Sequence, residues 1–239
     1  MPATDVNGIT IEFESFGEGP PLLLVMGLGA QLIAWPDEFV HRIVDRGFRV
    51  IRFDNRDIGL SSKFAAPPPS KRRVIASLFS RRLARPPYLL ADLADDAAGL
   101  LRSLGIERAH VVGASMGGMI AQSMAIGHPD LVASLTSIMS NTGDRRNGRI
   151  AGSLLRQLPK YLDPTPERRL ASAMAIGRLT AGPLYDEAMD RDIIERSIAR
   201  DPDPAGTARQ SIAIAGSPDR TKALHAVTAP TLVIHGLAD

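Results

Sequence analysis

The residues that most clearly predict chemistry form a G-x-S-x-G pattern at 113–117. This pattern directly follows a short apolar run at 109–112, and a helical pattern begins after the serine. A serine on a sharp strand-to-helix turn adopts strained backbone angles and projects its hydroxyl above the edge of a sheet. Gly113 and Gly117 fit this turn because side chains there would collide. We therefore predict that Ser115 is a nucleophile that attacks an acyl carbon.

A second turn could stabilise the oxyanion that such an attack creates. The apolar run at 22–26 ends in a glycine-rich turn at 27–29. Acyl transfer needs preorganised N–H donors aimed at the developing negative oxygen. In a strand–serine–helix arrangement, one donor is the residue after the nucleophile, here Met116, and the other follows an earlier strand. We predict Leu28 as that second donor; the alternative is a plain glycine-rich turn.

An acid is expected next, because the usual order along the chain is Ser, then Asp or Glu, then His. Asp239 follows the apolar run at 230–235, so it is predicted at the end of a strand, as the acid that orients a histidine. The alternative is a solvated carboxylate. The histidines are His41, His110, His128, His225 and His235, and none of them occupies the position expected for the base.

The elements that must position these residues alternate between strand and helix. Apolar runs at 22–26, 49–53, 109–112 and 131–138 are typical of strands buried on both faces of a parallel sheet. Alternating apolar residues from 9 to 13 suggest an outer strand, and helical spacing recurs at 39–44, 89–104 and 116–126. This order predicts an α/β fold with a mostly parallel sheet and right-handed crossovers.

The pattern changes after residue 138. From 150 to about 215 the signals are helical and are interrupted by prolines, which predicts a helical cap inserted between two strands. We therefore divide the chain into a core at 1–140, a helical cap at 141–223 and a continuation of the core at 224–239.

The amino-acid composition excludes several classes of function. The 239 residues include no cysteine, which excludes disulfides, thiolate nucleophiles and Cys-based metal sites. A net charge of +2 is too small to imply a nucleic-acid partner. We see neither a signal-peptide pattern nor a stretch long enough to span a bilayer, so a cytoplasmic location is expected. The predicted chemistry requires no metal and no organic cofactor.

One segment is strongly basic. Between residues 58 and 91 there are seven Lys or Arg residues and no acid, and apolar residues recur among them at helical spacing. Basic residues beside an apolar stripe are typical of a helix that lies on an anionic membrane surface. We predict peripheral membrane contact through 70–85; a solvent-facing helix whose stripe packs on the domain is the alternative.

From residue 9 to its end, the chain resembles the α/β-hydrolase superfamily. The resemblance depends on the turn at 26–28, the polar loop at 54–61, the G-x-S-x-G segment at 113–118 and the segment 230–239. The run at 25–32, followed by Trp35, is similar to a bacterial lipase and esterase subgroup related to aclacinomycin methylesterase. This resemblance implies a serine esterase that acts on a small acyl ester, with a thioester or a lipid as further substrates.

The resemblance also has a gap. Such hydrolases place the catalytic histidine in a loop after one more strand, beyond the acid, and residue 239 is the last in this sequence. We therefore expect a fragment that lacks the last strand and helix and has little activity by itself. The alternatives are a cofactor-free haloperoxidase or perhydrolase, a carbon–carbon bond hydrolase, and a non-catalytic binding module.

Overall fold

The computed structural model describes residues 2–146, 168–183 and 185–236. Predictions that concern 147–167, residue 184 and 237–239 lie outside the described residues. These residues include about a quarter of the predicted cap, and they include Asp239.

Seven strands form one sheet in the order β1-β2-β4-β3-β5-β6-β7. The five strands from β4 to β7 in this order run parallel, whereas β1 and β2 are antiparallel to their neighbours. This confirms the predicted mostly parallel α/β sheet. The strands are β1 Ala3–Val6, β2 Ile9–Phe16, β3 Pro21–Val25, β4 Arg49–Phe53, β5 Ala109–Ala114, β6 Val132–Ile138 and β7 Thr231–Ile234.

The prediction of an outer strand at 9–13 was wrong in one respect. This segment belongs to β2, which lies between β1 and β4, so β1 is the outer strand. The strand β1 contributes only one buried residue, Val6, and its short polar sequence carries no clear alternation. Pairing with β2 stabilises it instead, from Ala3 opposite Glu12 to Val6 opposite Ile9.

Helices connect the strands and continue between β6 and β7. They are α1 Asp37–Val44, α2 Lys71–Phe79, α3 Arg81–Ala84, α4 Leu90–Ser103, α5 Met116–Gly127, α6 Arg169–Thr180, α7 Glu187–Arg200, α8 Ala205–Gly216 and α9 Thr221–Leu224. Short 3-10 turns occur at Leu32–Ala34 and Pro129–Leu131. Where the chain between β6 and β7 is described, it forms helices and loops. The predicted domain limits themselves stay a prediction.

The helix α4 shows how sequence spacing sets a local element. Leu93, Ala97 and Leu100 recur at helical spacing and are buried against the sheet. At the start of the helix the Asp92 carboxylate accepts a hydrogen bond from the Leu89 amide at 2.6 Å. Gly105 ends the segment with φ +67°, a conformation that glycine adopts without strain.

The core is thickest at the centre of the sheet. Leu23 of β3 and Val111 of β5 are fully buried, as is Ile120 of the neighbouring helix α5. Burying a side chain of this kind contributes about 1.5–3 kcal/mol relative to leaving it exposed. The two strands that lead to the candidate turns, β3 and β5, are therefore packed in the hydrophobic core.

The strand β7, at the opposite edge of the sheet from β1, is much more exposed than these core strands. Leu232, Val233 and Ile234 are 55%, 66% and 46% exposed. These residues pair with β6 on one side, and Ile234 lies opposite Ile138.

No helix within the described ranges is both long enough and apolar enough to cross a bilayer.

Candidate active site

Ser115 stands between the last residue of β5 and the first residue of α5. Its backbone has φ +54° and ψ −119°, outside the regions that a non-glycine residue normally adopts. Strain of this kind costs about 1–3 kcal/mol and persists only where the surroundings enforce it. The Ser115 N–H donates to the Ile138 carbonyl at 2.9 Å, and its carbonyl accepts from Gly118 N at 3.0 Å. Ser115 is exposed to solvent.

The two glycines of the pattern are required by close backbone contacts. A Cβ on Gly113 would lie 2.1 Å from the Gly117 carbonyl oxygen, within the turn itself. A Cβ on Gly117 would lie 2.0 Å from the Val25 carbonyl oxygen, at the end of β3. The predicted collision therefore has two sources, because Gly117 also lets α5 pack against the neighbouring strand.

The glycine-rich turn after β3 lies directly beside Ser115. A Cβ on Gly27 would be 3.2 Å from Ser115 Cβ and 3.6 Å from Ser115 Oγ. Ala30 N–H donates to the Gly27 carbonyl at 3.3 Å, and Gly29 has φ +69°, both features of a type II turn. The fold therefore brings together two segments that are far apart in sequence.

The predicted oxyanion donors lie on these two segments. Leu28 occupies the second position of the turn and is 40% exposed. Met116 provides the first amide of α5, and the first four amides of a helix have no acceptor within that helix. Their roles as oxyanion donors stay predictions.

Two side chains for which the sequence predicted no role in the site anchor the turn. Asn55 Nδ2 donates to the Met26 carbonyl at 3.0 Å, and Gln210 Oε1 accepts from Gly29 N–H at 3.0 Å. Asn55 belongs to the polar loop after β4, and Gln210 belongs to α8. A polar residue in a loop or a helix carries no sequence signal that reveals such a distant partner.

The loop after β4 is held by a buried carboxylate, Asp57, which has φ +75°. Its oxygens accept two bonds from Arg209 at 2.8 and 2.9 Å, one from Tyr88 Oη at 2.6 Å and one from Phe64 N at 2.6 Å. Burial acts to raise the pKa of Asp57, but these hydrogen bonds outweigh it and lower the pKa. Burial, followed by the hydrogen bond to the Asp57 carboxylate, raises the pKa of Tyr88.

A second buried carboxylate, Asp54, holds the other side of this loop. It accepts bonds from Leu32 N at 2.7 Å, from Leu60 N at 2.9 Å and from Arg200 Nη1 at 2.6 Å. Arg200 is the last residue of α7. The helices between β6 and β7 are therefore tied by charge to the loop beside the candidate site.

Three histidines have partners away from Ser115. His110 contacts Ser134 Oγ at 2.8 Å near the start of β5, and His128 contacts Asp95 Oδ1 at 2.7 Å. His41 packs edge-on against Phe16. His225 directly follows α9 and His235 directly follows β7, and both are exposed.

The predicted acid, Asp239, lies outside the described residues, so its role stays a prediction. The strand before it ends at the same edge as the nucleophile. Ile234 pairs with Ile138, whose carbonyl accepts a hydrogen bond from the Ser115 amide.

Among the residues that the structure describes, no three His, Asp or Glu side chains are grouped to hold a metal ion.

The basic segment 70–85 forms two short helices, α2 and α3, rather than one continuous helix. Ser80 interrupts the spacing with an extended backbone. Ile75 and Leu83 are 42% and 50% exposed, while Ala84 is buried and both helices pack against α8. Contact of this segment with an anionic membrane stays a prediction.

Comparison with known proteins connects this geometry to a family. The family described as alpha/beta hydrolase fold matches residues 20–239. A rhodomycin D methylesterase from Streptomyces sp. (strain C5) is 30% identical over 195 residues, which cover 80% of this chain and 58% of that protein. The chain thus spans less than two thirds of this relative.

Solved structures with the same fold include hydrolases of two kinds. An enol-lactonase from Burkholderia xenovorans LB400 superposes with a TM-score of 0.67 at 25% identity, covering 99% of this chain and 81% of that one. An esterase from Exiguobacterium antarcticum superposes with a TM-score of 0.74 at 20% identity, covering 98% and 80%. The second likeness concerns the fold alone.

Proposed function

We propose that this chain, which belongs to the α/β-hydrolase fold family, carries the nucleophile and oxyanion groups of a serine hydrolase that cleaves carboxylic esters. The observation that carries the proposal is the backbone of Ser115. An exposed serine with φ +54° sits on a strand-to-helix turn, beside a second turn whose Gly27 would place a Cβ 3.6 Å from the serine oxygen.

In this proposal Ser115 Oγ attacks the acyl carbon of the ester while a histidine takes its proton. The amides of Leu28 and Met116 would hold the oxygen that becomes negative, and Asp239 would orient the histidine ring. The histidine would then protonate the leaving alcohol, and water would cleave the acyl-enzyme. No metal ion or organic cofactor takes part.

The class of substrate is supported by two of the similar proteins. One is named a methylesterase and the other an enol-lactonase, and a lactone is a cyclic ester. A small acyl ester is therefore the proposed substrate. Thioesters and lipid esters are further candidate substrates, because their hydrolysis would pass through the same acyl-serine intermediate.

Three alternatives use the same scaffold. A haloperoxidase or perhydrolase would transfer the acyl group to peroxide, and a carbon–carbon hydrolase would cleave a ketone substrate. A binding module would bind a ligand without forming a covalent intermediate. Comparing release of alcohol from p-nitrophenyl esters with peracid formation in peroxide separates the first alternative from the ester hydrolase.

A fluorophosphonate probe tests the nucleophile directly, because it reacts with activated serines. The protein is expressed together with any coding sequence that follows residue 239. We expect labelling that disappears in Ser115→Ala and persists in Ser123→Ala, because the Ser123 hydroxyl donates to the Met119 carbonyl within α5. If the protein is folded by circular dichroism and the probe leaves Ser115 unmodified, the binding module becomes the better description.

A further inference from the structure

We infer that Gln210, a buried residue of α8, is a positioning residue that holds the oxyanion turn in place; this inference rests on the proposed function. Gln210 is fully buried, and its side-chain amide joins two loops of the core. Its Oε1 accepts from Gly29 N–H at 3.0 Å, and its Nε2 donates to the Arg56 carbonyl at 3.0 Å.

The helix α8 packs closely on both loops. A Cβ on Gly206 would lie 1.9 Å from the Asp57 carbonyl oxygen, so the helix backbone rests on the loop after β4. A Cβ on Gly29 would lie 2.7 Å from Thr207 Oγ1, so the turn rests on the same helix. Gln210 is three residues after Thr207 and therefore lies on the same face of α8.

The side-chain amide of Gln210 is suited to both hydrogen bonds. A carboxamide offers an acceptor oxygen and a donor nitrogen at the same time, whereas a carboxylate has no donor and a thioether has neither strong group. The amide of Gly29 and the carbonyl of Arg56 fix which end of Gln210 faces which loop. Since the side chain is buried, leaving these groups unpaired would be costly.

The two anchors flank the predicted oxyanion donor. Asn55 holds the Met26 carbonyl on one side of Leu28, and Gln210 holds the Gly29 amide on the other. The bond to Gly29 also fixes the peptide between the two central residues of the turn, which keeps Gly29 at φ +69°. A type II turn depends on that peptide orientation. The Leu28 amide therefore stays at a constant place beside Ser115.

The consequence should appear in the chemical step. A turn that shifts by a fraction of an ångström weakens the oxyanion interaction, which is made in the transition state, and leaves ground-state binding nearly intact. Replacing Gln210 by Met keeps the length of the side chain and removes both hydrogen bonds. We expect kcat for a p-nitrophenyl ester to fall about tenfold, with KM nearly unchanged.

The test combines kinetics with hydrogen exchange of the peptide that covers residues 26–30. Gln210→Met should speed exchange there, while Ser211→Ala, which removes one bond to Thr207 within α8, should not. Gln210→Glu keeps the acceptor for Gly29 and should recover part of kcat. Gln210→Asn, whose amide is one methylene shorter, is the second test variant if Gln210→Met does not fold.

Each outcome decides the inference. In an active protein, a lower kcat together with faster exchange in the turn supports positioning. Either change without the other, or no change in both, overturns it. If the wild-type protein hydrolyses no ester and its Ser115 does not react with the probe, the proposed function fails. The exchange measurement then decides alone: faster exchange in the Met variant supports the anchor, and unchanged exchange overturns it.

Discussion

Arg209 and Arg220 both reach from the segment between β6 and β7 into the core, and both are nearly inaccessible, at 3% and 6% exposure. Their partners differ. Arg209 donates two hydrogen bonds to the Asp57 carboxylate at 2.8 and 2.9 Å. Arg220 donates to neutral oxygens, those of the Gln122 side chain at 3.2 Å and the Asn141 main chain at 3.0 Å.

The pKa values follow these partners. The hydrogen bond to Asp57 raises the pKa of Arg209, against the effect of burial. Burial lowers the pKa of Arg220 to about 10, because the neighbouring charge of Asp219 only partly compensates it. Asp57, the carboxylate that pairs with Arg209, lies on the loop beside the candidate site. The opposite pKa shifts of the two arginines indicate that the Arg209–Asp57 contact depends on ionic pairing. The contacts of Arg220 with Gln122 and Asn141 do not.

The largest effect on the free energy of unfolding is expected for Arg209→Met, because this substitution leaves the Asp57 carboxylate buried without its cation. Removing one partner of a buried pair typically costs about 3–5 kcal/mol. We expect a loss of about 3 kcal/mol in the free energy of unfolding, measured by urea denaturation at pH 7. Asp95→Asn is the control, since the Asp95 side chain contacts His128 and is 58% exposed. Equal losses in both variants would contradict the comparison.

Acid should weaken the same contact. The folded protein lowers the pKa of Asp57, so the stabilisation is complete above the unfolded value near 3.8 and is lost as the pH falls through the folded value. The stability difference between wild type and Arg209→Met should therefore be constant from about pH 6 to 8 and shrink below about pH 4. Urea denaturation across this range measures it, and a difference that grows in acid would refute the assignment.

Arg220→Met tests the other side of the comparison with the same substitution. The variant loses hydrogen bonds to neutral oxygens but also relieves a buried charge, and such changes largely cancel. We expect the free energy of unfolding to change by about 1 kcal/mol or less, in either direction. A loss as large as that of Arg209→Met would show that neutral partners hold a buried guanidinium as firmly as a carboxylate does.

The smallest effect on stability is expected for Arg72→Gln and Arg82→Gln, whose side chains are exposed on α2 and α3. Each should change stability by less than about 0.5 kcal/mol. If the basic segment contacts anionic membranes, the double variant should sediment less with vesicles that contain phosphatidylserine. Equal sedimentation of the wild type with neutral and anionic vesicles would refute membrane contact.

The sequence by itself determined most of the scaffold. The strand predicted at 49–53 has the observed limits, and the helices α4 and α5 were predicted to within one or two residues at each end. Local periodicity sets these elements, because each residue's burial follows the repeat of its own helix or strand. The G-x-S-x-G pattern also predicted the turn at Ser115, since its glycines are demanded by backbone geometry that any such turn shares.

The tertiary structure alone decided which polar residues support that turn. Gln210 and Gly29 are 181 positions apart, and Asp57 and Arg209 are 152 apart. Neither pair follows any local repeat. Their meeting depends on how the segment after β6 folds back over the sheet, which no window of neighbouring residues encodes. Spacing along the chain could therefore identify the candidate nucleophile, whereas only packing across the molecule showed what holds the groups beside it.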